Sequence, residues 1–131
     1  MAVCIVGHGI DLVEIARIDR MVLEHGDRFL NRCFTERERA YAATRPRRQA
    51  EHLAGRFAAK EAILKALGTG WTGQIAWTEA EIIREPSGQP KVMLHGRCAQ
   101  IALRLGITCW RLSISHVSSH AMASAIGVGE D

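Results

Sequence analysis

The chain has 131 residues, 47% apolar and 24% charged, with a formal net charge of +3. This length supports one domain and is too short for two, and the balance is that expected of an ordinary soluble globular protein. No apolar run reaches the roughly 18–20 residues needed to span a bilayer, and MAVCIVGHGIDLVEI lacks the basic start and small-residue cleavage site of a signal peptide. A single cytoplasmic domain over residues 1–131, with no membrane partner, is therefore expected.

The run CIVGHGIDLVEI predicts a strand from Val3 to Leu12, with Gly7 and Gly9 marking a bulge or a close backbone approach. Ile15, Ile18, Met21 and Val22 recur at helical spacing, predicting a helix over Glu14–His25 that Gly26 stops. A short helix follows over Arg28–Cys33. Thr35, with Glu38 three residues on, has the form of a capping box opening another helix, which ends at Arg45-Pro46 because proline disfavours helical geometry in its predecessor. A long helix is predicted over Arg48–Leu67, closed by Gly68-Thr69-Gly70.

Beyond it the period shortens. Gln74–Trp77 and Ala80–Glu85 read as strands, Pro86-Ser87-Gly88-Gln89 as a turn and Lys91–Leu94 as a strand. Cys98–Leu105 reads as a helix ending at Gly106, and Cys109–Ser115 and Met122–Val128 as closing strands. Helices gather in the first half and strands in the second, so the fold class is α+β. The scattered Cys4, Cys33, Cys98 and Cys109, with no CxxC pair, are read as free thiols.

Ten of the seventeen Lys and Arg lie between Arg28 and Lys65. Such a cluster suits a phosphate-bearing ligand or an acidic partner, and equally a solvated face. Within the long helix, Leu53, Phe57, Leu64 and Leu67 fall in an arc about 80° wide, read as the core face. Lys60 projects into the middle of that arc and needs a partner that the sequence does not name. Glu61 sits at its edge, with Lys65 one turn on and on the same side. Two readings stay open at this point. One is an ordinary i,i+4 surface pair. The other is a carboxylate held at the rim of the core for a hard cation, with a lysine beside it for phosphate oxygens. Because Mg²⁺ usually takes one or two carboxylates plus water and phosphate oxygens, a second acid is sought, and Asp11 at the end of the first strand is the candidate.

Gly9-Ile10-Asp11, Arg56-Phe57-Ala58-Ala59-Lys60-Glu61-Ala62 followed by Lys65 and Gly68-Thr69-Gly70, and Ser113-Ile114-Ser115-His116 occur in that order. The ordered set resembles the bacterial holo-[acyl-carrier-protein] synthases, the small type of 4′-phosphopantetheinyl transferase, over essentially the whole chain. The resemblance implies that family's fold, a long central helix packed on a small antiparallel sheet. It implies transfer of the phosphopantetheine arm of coenzyme A to a serine of apo acyl carrier protein in fatty acid biosynthesis, releasing adenosine 3′,5′-bisphosphate. It also implies a homotrimer with active sites at the subunit interfaces. Asp11 and Glu61 match the family's carboxylates for Mg²⁺, with Mn²⁺ as an alternative occupant, and Lys65 matches the pyrophosphate lysine. Glu61, directly or through a water, is the favoured acceptor of the serine proton. Arg47, Arg48 and Arg56 match basic residues for the coenzyme A phosphates, notably the 3′-phosphate. Gly68 lets the backbone approach the ligand, and Ser115 and His116 belong to an element near its nucleotide end. Arg17, Arg20 and Met21 match a docking surface for the acidic carrier.

Rival readings are a coenzyme A-binding module without turnover and a basic RNA-binding domain. One Tyr and three Phe, with no stacking motif beside the basic run, disfavour RNA. Adjacent residues on a strand face opposite sides, which disfavours a Ser115–His116 nucleophilic pair, and a zinc site from His116 and His120 lacks further ligands at suitable spacing. His8, His25, His52 and His95 receive no role.

Overall fold

In the computed structural model, which describes residues 2–69 and 74–130, the chain opens with the long strand β1 (Val3–Glu14) and the helices α1 (Ile15–His25), α2 (Asp27–Cys33) and α3 (Glu36–Ala43). A 3₁₀ turn at Pro46–Arg48 leads into α4 (Gln49–Leu67). After it come the hairpin strands β2 (Ala80–Arg84) and β3 (Pro90–Leu94), helix α5 (Gly96–Leu105) and the strands β4 (Ile107–His116) and β5 (His120–Glu130). One sheet has the antiparallel order β1-β5-β4, and the β2-β3 hairpin stands apart as a second, two-stranded sheet. This mixed architecture matches the expected α+β class and its central helix on a small antiparallel sheet.

Local chemistry accounts for most element ends. Thr35 Oγ1 accepts from the Glu38 amide while Glu38 Oε1 accepts from the Thr35 amide, completing the capping box. Gly68 closes α4 in the left-handed region at φ 77°, where a side chain would be strained. One expected strand is absent. Gln74–Ala76 carries no strand, and Trp77–Glu79 is a 3₁₀ turn. Among the described residues, Gln74–Trp77 forms no strand pairing. Trp77 stacks on Phe57 with ring centres 4.6 Å apart, and its carbonyl accepts from Lys60 at 3.2 Å. Gly70, the last residue of the expected turn after α4, lies outside the described residues.

The single apolar arc expected on α4 is only one of two buried faces. Leu53, Phe57, Lys60, Leu64 and Leu67 face the aromatic side of the core, where Phe29 and Phe34 meet edge to face at 5.9 Å. The opposite face carries Gly55, Ala59, Ala62 and Ala66 and lies against the sheet. There β5 presents Ala121, Ala123 and Ala125, all 0% exposed. Small residues on both surfaces let helix and sheet backbones approach closely and pack densely. The other surface of the sheet is unusually apolar, with Val3, Ile5, Ile10 and Leu12 of β1 and Met122 of β5 exposed. Leu12 and Met122 are register partners. Among the described residues Cys33, Cys98 and Cys109 are free thiols, and burial pushes those of Cys33 and Cys98 up to about 11, so both stay protonated near neutral pH.

Candidate active site

The Gly-x-Gly-x-Asp stretch is a seat for α4. A Cβ at Gly9 would stand 1.9 Å from the Ala62 carbonyl oxygen, and one at Gly7 2.1 Å from that of Ala66. Only glycine permits this contact, and it brings the next part of β1 against the flank of the helix. Lys65 Nζ donates to Asp11 Oδ1 at 3.0 Å and to the Ile10 carbonyl at 3.0 Å. The Asp11 side chain is 16% exposed and that of Lys65 54%, so the pair stands at the rim of the core, open to solvent. Glu61, half-buried, projects one turn before Lys65 on the same flank. Two carboxylates on rigid elements suit a hard cation, and the ammonium held on Asp11 shows that this carboxylate already receives a positive charge. No three His, Cys, Asp or Glu side chains converge among the described residues. Water and ligand oxygens would therefore complete the shell of any ion held by Asp11 and Glu61.

A second constellation occupies another flank of α4. Arg48, His52 and Arg56 recur every fourth residue and line a cavity of about 240 Å³ together with Arg45, Glu51, Arg84 and His116. Arg56 is 8% exposed, and its guanidinium forms no hydrogen bond or ion pair among the described residues. Burial is the first cause lowering its pKa, opposed by the charge of Glu38. A desolvated cation facing a cavity calls for an anionic ligand. His52 is pushed down to about 4, by burial first and then by Arg56, Arg84 and Arg45, and is neutral at pH 7. Glu51 Oε2 lies 3.9 Å from His116 Nδ1.

Arg56 and Lys65 are nine residues apart, which places them about 180° apart around an α-helix and roughly 13 Å apart along it. The acidic rim and the basic cavity are thus presented on different sides of one element. The remaining expected residues divide accordingly. Arg47 is exposed in the 3₁₀ turn, outside this cavity. Ser115 lies on the opposite surface of β4 from Ile114 and His116, which line the cavity, so the structure does not bring Ser115 to it. Arg17 and Arg20 are exposed on α1 and Met21 is half-buried, with the Arg17 guanidinium 5.8 Å from the Phe57 ring centre. Arg45 belongs to the basic cluster expected to suit a phosphate-bearing ligand, whereas His52 and Arg84 line the cavity without having been assigned a role from the sequence. For His52 the four-residue spacing with Arg48 and Arg56 was an available signal. Arg84 reaches the cavity only through the packing of the β2-β3 hairpin.

Lys60 finds its partners inside the core. It is 0% exposed and donates to Glu38 Oε1 at 2.8 Å, to the Ala80 carbonyl at 2.7 Å and to the Trp77 carbonyl at 3.2 Å. Glu38 Oε2 accepts from the Ile82 amide at 2.8 Å. Thr35 Oγ1 donates to Glu81 at 2.6 Å, and His95 Nε2 meets the other Glu81 oxygen at 3.0 Å. Burial alone would raise the Glu81 pKa; these two hydrogen bonds, with the nearby charges of His95 and Arg37, together outweigh it and hold the carboxyl below its ordinary value.

The sequence pattern of the 4′-phosphopantetheinyl transferase superfamily matches residues 7–124. The chain is 45% identical to the holo-[acyl-carrier-protein] synthase of Koribacter versatilis, over 93% of this chain and 97% of that one. Among solved structures, the holo-[acyl-carrier-protein] synthase of Neisseria meningitidis superposes with a TM-score of 0.86 at 30% identity, covering 95% of this chain and 98% of that one. The Bacillus anthracis holo-(acyl-carrier-protein) synthase, solved in complex with CoA (3′,5′-ADP), superposes with a TM-score of 0.79 at 35% identity, covering 98% and 100%.

Proposed function

This chain belongs to the 4′-phosphopantetheinyl transferase superfamily, among its holo-[acyl-carrier-protein] synthases, and from that premise we propose how its two constellations perform the transfer. The chain is a transferase that moves the phosphopantetheine arm of coenzyme A to an acyl carrier protein. The serine oxygen of the carrier attacks the phosphorus that bears the pantetheine arm. The bond from that phosphorus to the bridging oxygen breaks, and adenosine 3′,5′-bisphosphate leaves with the electron pair. Glu61 receives the serine proton. Lys65, whose ammonium is exposed and already bridges two oxygens, meets the negative charge that grows on the leaving bisphosphate. Asp11 and Glu61 would hold Mg²⁺, which supplies charge neutralisation of the pyrophosphate when bound.

The basic cavity takes the nucleotide end of coenzyme A, with Arg48, Arg56 and His116 on its walls and Arg47 at its approach. The acidic rim and the cavity lie on different sides of α4, so an active site assembled between neighbouring copies accounts for both. The exposed apolar surface of β1 and β5 supports such self-association, since monomers rarely leave patches of this kind open. We assign this assembly as a homotrimer of single-domain chains, acting in the cytoplasm in fatty acid biosynthesis. The exposed guanidiniums of Arg17 and Arg20 beside Met21 on α1 suit docking of an acidic carrier.

The observation that carries this reading is the Asp11–Lys65 contact, with Glu61 one turn away, built by the glycine seat of β1. The test is incubation with coenzyme A, Mg²⁺ and an apo carrier, followed by intact-mass measurement. Addition of one phosphopantetheine to the carrier, lost on removal of divalent cations, is expected. Binding of coenzyme A without addition to any carrier would identify a binding module instead.

A further inference from the structure

The β2-β3 hairpin brings a further guanidinium to the basic cavity. Arg84, the last residue of β2, lines the same space as Arg48 and Arg56, and its orientation is set by contacts outside α4. Its Nη1 donates to Tyr41 Oη, and its guanidinium carbon lies 5.6 Å from the centre of the Tyr41 ring. Gly88 of the hairpin turn packs against it, with the position of a Cβ there 3.4 Å from Nη2. Tyr41 is itself held by His52, ring centres 4.5 Å apart, and it carries Arg45 at 5.7 Å.

Two like charges thus share one aromatic ring, and neither has a carboxylate within ion-pair distance among the described residues. Arg45, Arg56 and Arg84 line one cavity with His52, whose pKa is lowered by burial first and then by these three charges, so positive charge gathers on this wall. Glu51 is the one carboxylate lining the cavity, against four arginines. A phosphate monoester, with a charge of about −1.5 to −2 at pH 7, offsets most of that excess, and guanidinium forks match its oxygens.

We propose that Arg84 is a specificity-determining residue that contacts the 3′-phosphate of the donor, and that Tyr41 is a positioning residue that aims it. This rests on the reading that the cavity takes the nucleotide end of coenzyme A, and it selects donors that carry the monoester over those that lack it.

The test compares steady-state kinetics with coenzyme A and with dephospho-coenzyme A, the same donor without the 3′-phosphate. Arg84→Gln is expected to raise KM for coenzyme A about 10- to 100-fold, the loss of one charge-assisted hydrogen bond, with kcat within about twofold. The increase should be absent for dephospho-coenzyme A. Arg84→Lys, which keeps the charge without the fork, should recover part of the loss. Tyr41→Phe should raise KM for coenzyme A less than Arg84→Gln, and Tyr41→Leu more than Tyr41→Phe. A merely structural role would move both donors together, and that outcome overturns the proposal. Full discrimination between donors in Arg84→Gln overturns it as well, leaving the cavity assignment intact. Equal KM values for the two donors in the unaltered protein would overturn the cavity assignment and the proposal with it.

Discussion

Two lysines five residues apart on α4 meet opposite fates. Lys60 is sealed in the core, with three oxygens around its ammonium and a buried carboxylate at 2.8 Å. Lys65 stands half in solvent, holding one carboxylate and one carbonyl at the rim. The Lys60 network joins α3, α4 and the start of β2 and leaves no room for a ligand. The Lys65 contacts can be exchanged for ligand oxygens at little cost, because an exposed pair contributes no more than about 1 kcal/mol. Burial, rather than residue type or position in the motif, separates the structural lysine from the one proposed to meet the leaving group.

The largest effect is expected from Lys60→Met, which strands the Glu38 carboxylate in the core. Breaking a buried pair by removing one partner costs about 3–5 kcal/mol, readable as a lower urea midpoint, and adding Glu38→Leu should recover part of it. A loss below about 1 kcal/mol would erase the distinction between the two lysines. Lys65→Met should do the reverse. Stability should change by no more than about 0.5 kcal/mol, while kcat falls on the order of 100-fold or more as leaving-group charge goes unmet.

Gly9→Ala sharpens the contrast from the strand side. Its Cβ would meet the Ala62 carbonyl at 1.9 Å, so β1 must move off α4, at a cost of about 1–3 kcal/mol. Activity should fall because Asp11 moves with β1, while the Lys60 network is untouched. A near-normal turnover in this variant would separate Asp11 from the chemistry.

The smallest effect concerns His52, an intermediate case of burial on the same helix. Its folded pKa of about 4 lies below its ordinary 6.5. Both states are neutral above that ordinary value, so the group adds nothing there. As pH falls from about 6.5 to about 4 the unfolded chain takes up the proton first, and stability drops through that window. His52→Gln should flatten this part of the stability profile in chemical denaturation at stepped pH.

Asp11, Glu61 and Lys65, the residues of the proposed rim, stand out in the sequence because their signals are local: a glycine-spaced strand end, and two charges one turn apart in an apolar helix. The partner of Lys60 does not, because Glu38 lies on another helix and only tertiary packing joins them. The sheet-facing side of α4 escaped notice for a related reason. Alanine and glycine carry little hydrophobic weight, so the large side chains dominated the reading of that helix. Gln74–Trp77 is no strand because the adjacent β2 pairs with β3 and Trp77 stacks on Phe57 instead. Arg84 carried no local signal, and its place depends on how the hairpin folds back toward α3.

The most direct test of an active site shared between copies is complementation between two inactive chains. Glu61→Gln disables the acidic rim, and Arg56→Ala disables the basic cavity. Each is assayed alone, then the two are co-expressed in equal amounts and the whole population of assemblies is purified. If the rim of one copy works with the cavity of its neighbour around a ring, random one-to-one mixing gives about a quarter of the sites both intact halves. Transfer activity near a quarter of the unaltered protein's is therefore predicted. Activity no greater than that of the separate variants would place rim and cavity in the same copy and contradict the shared site.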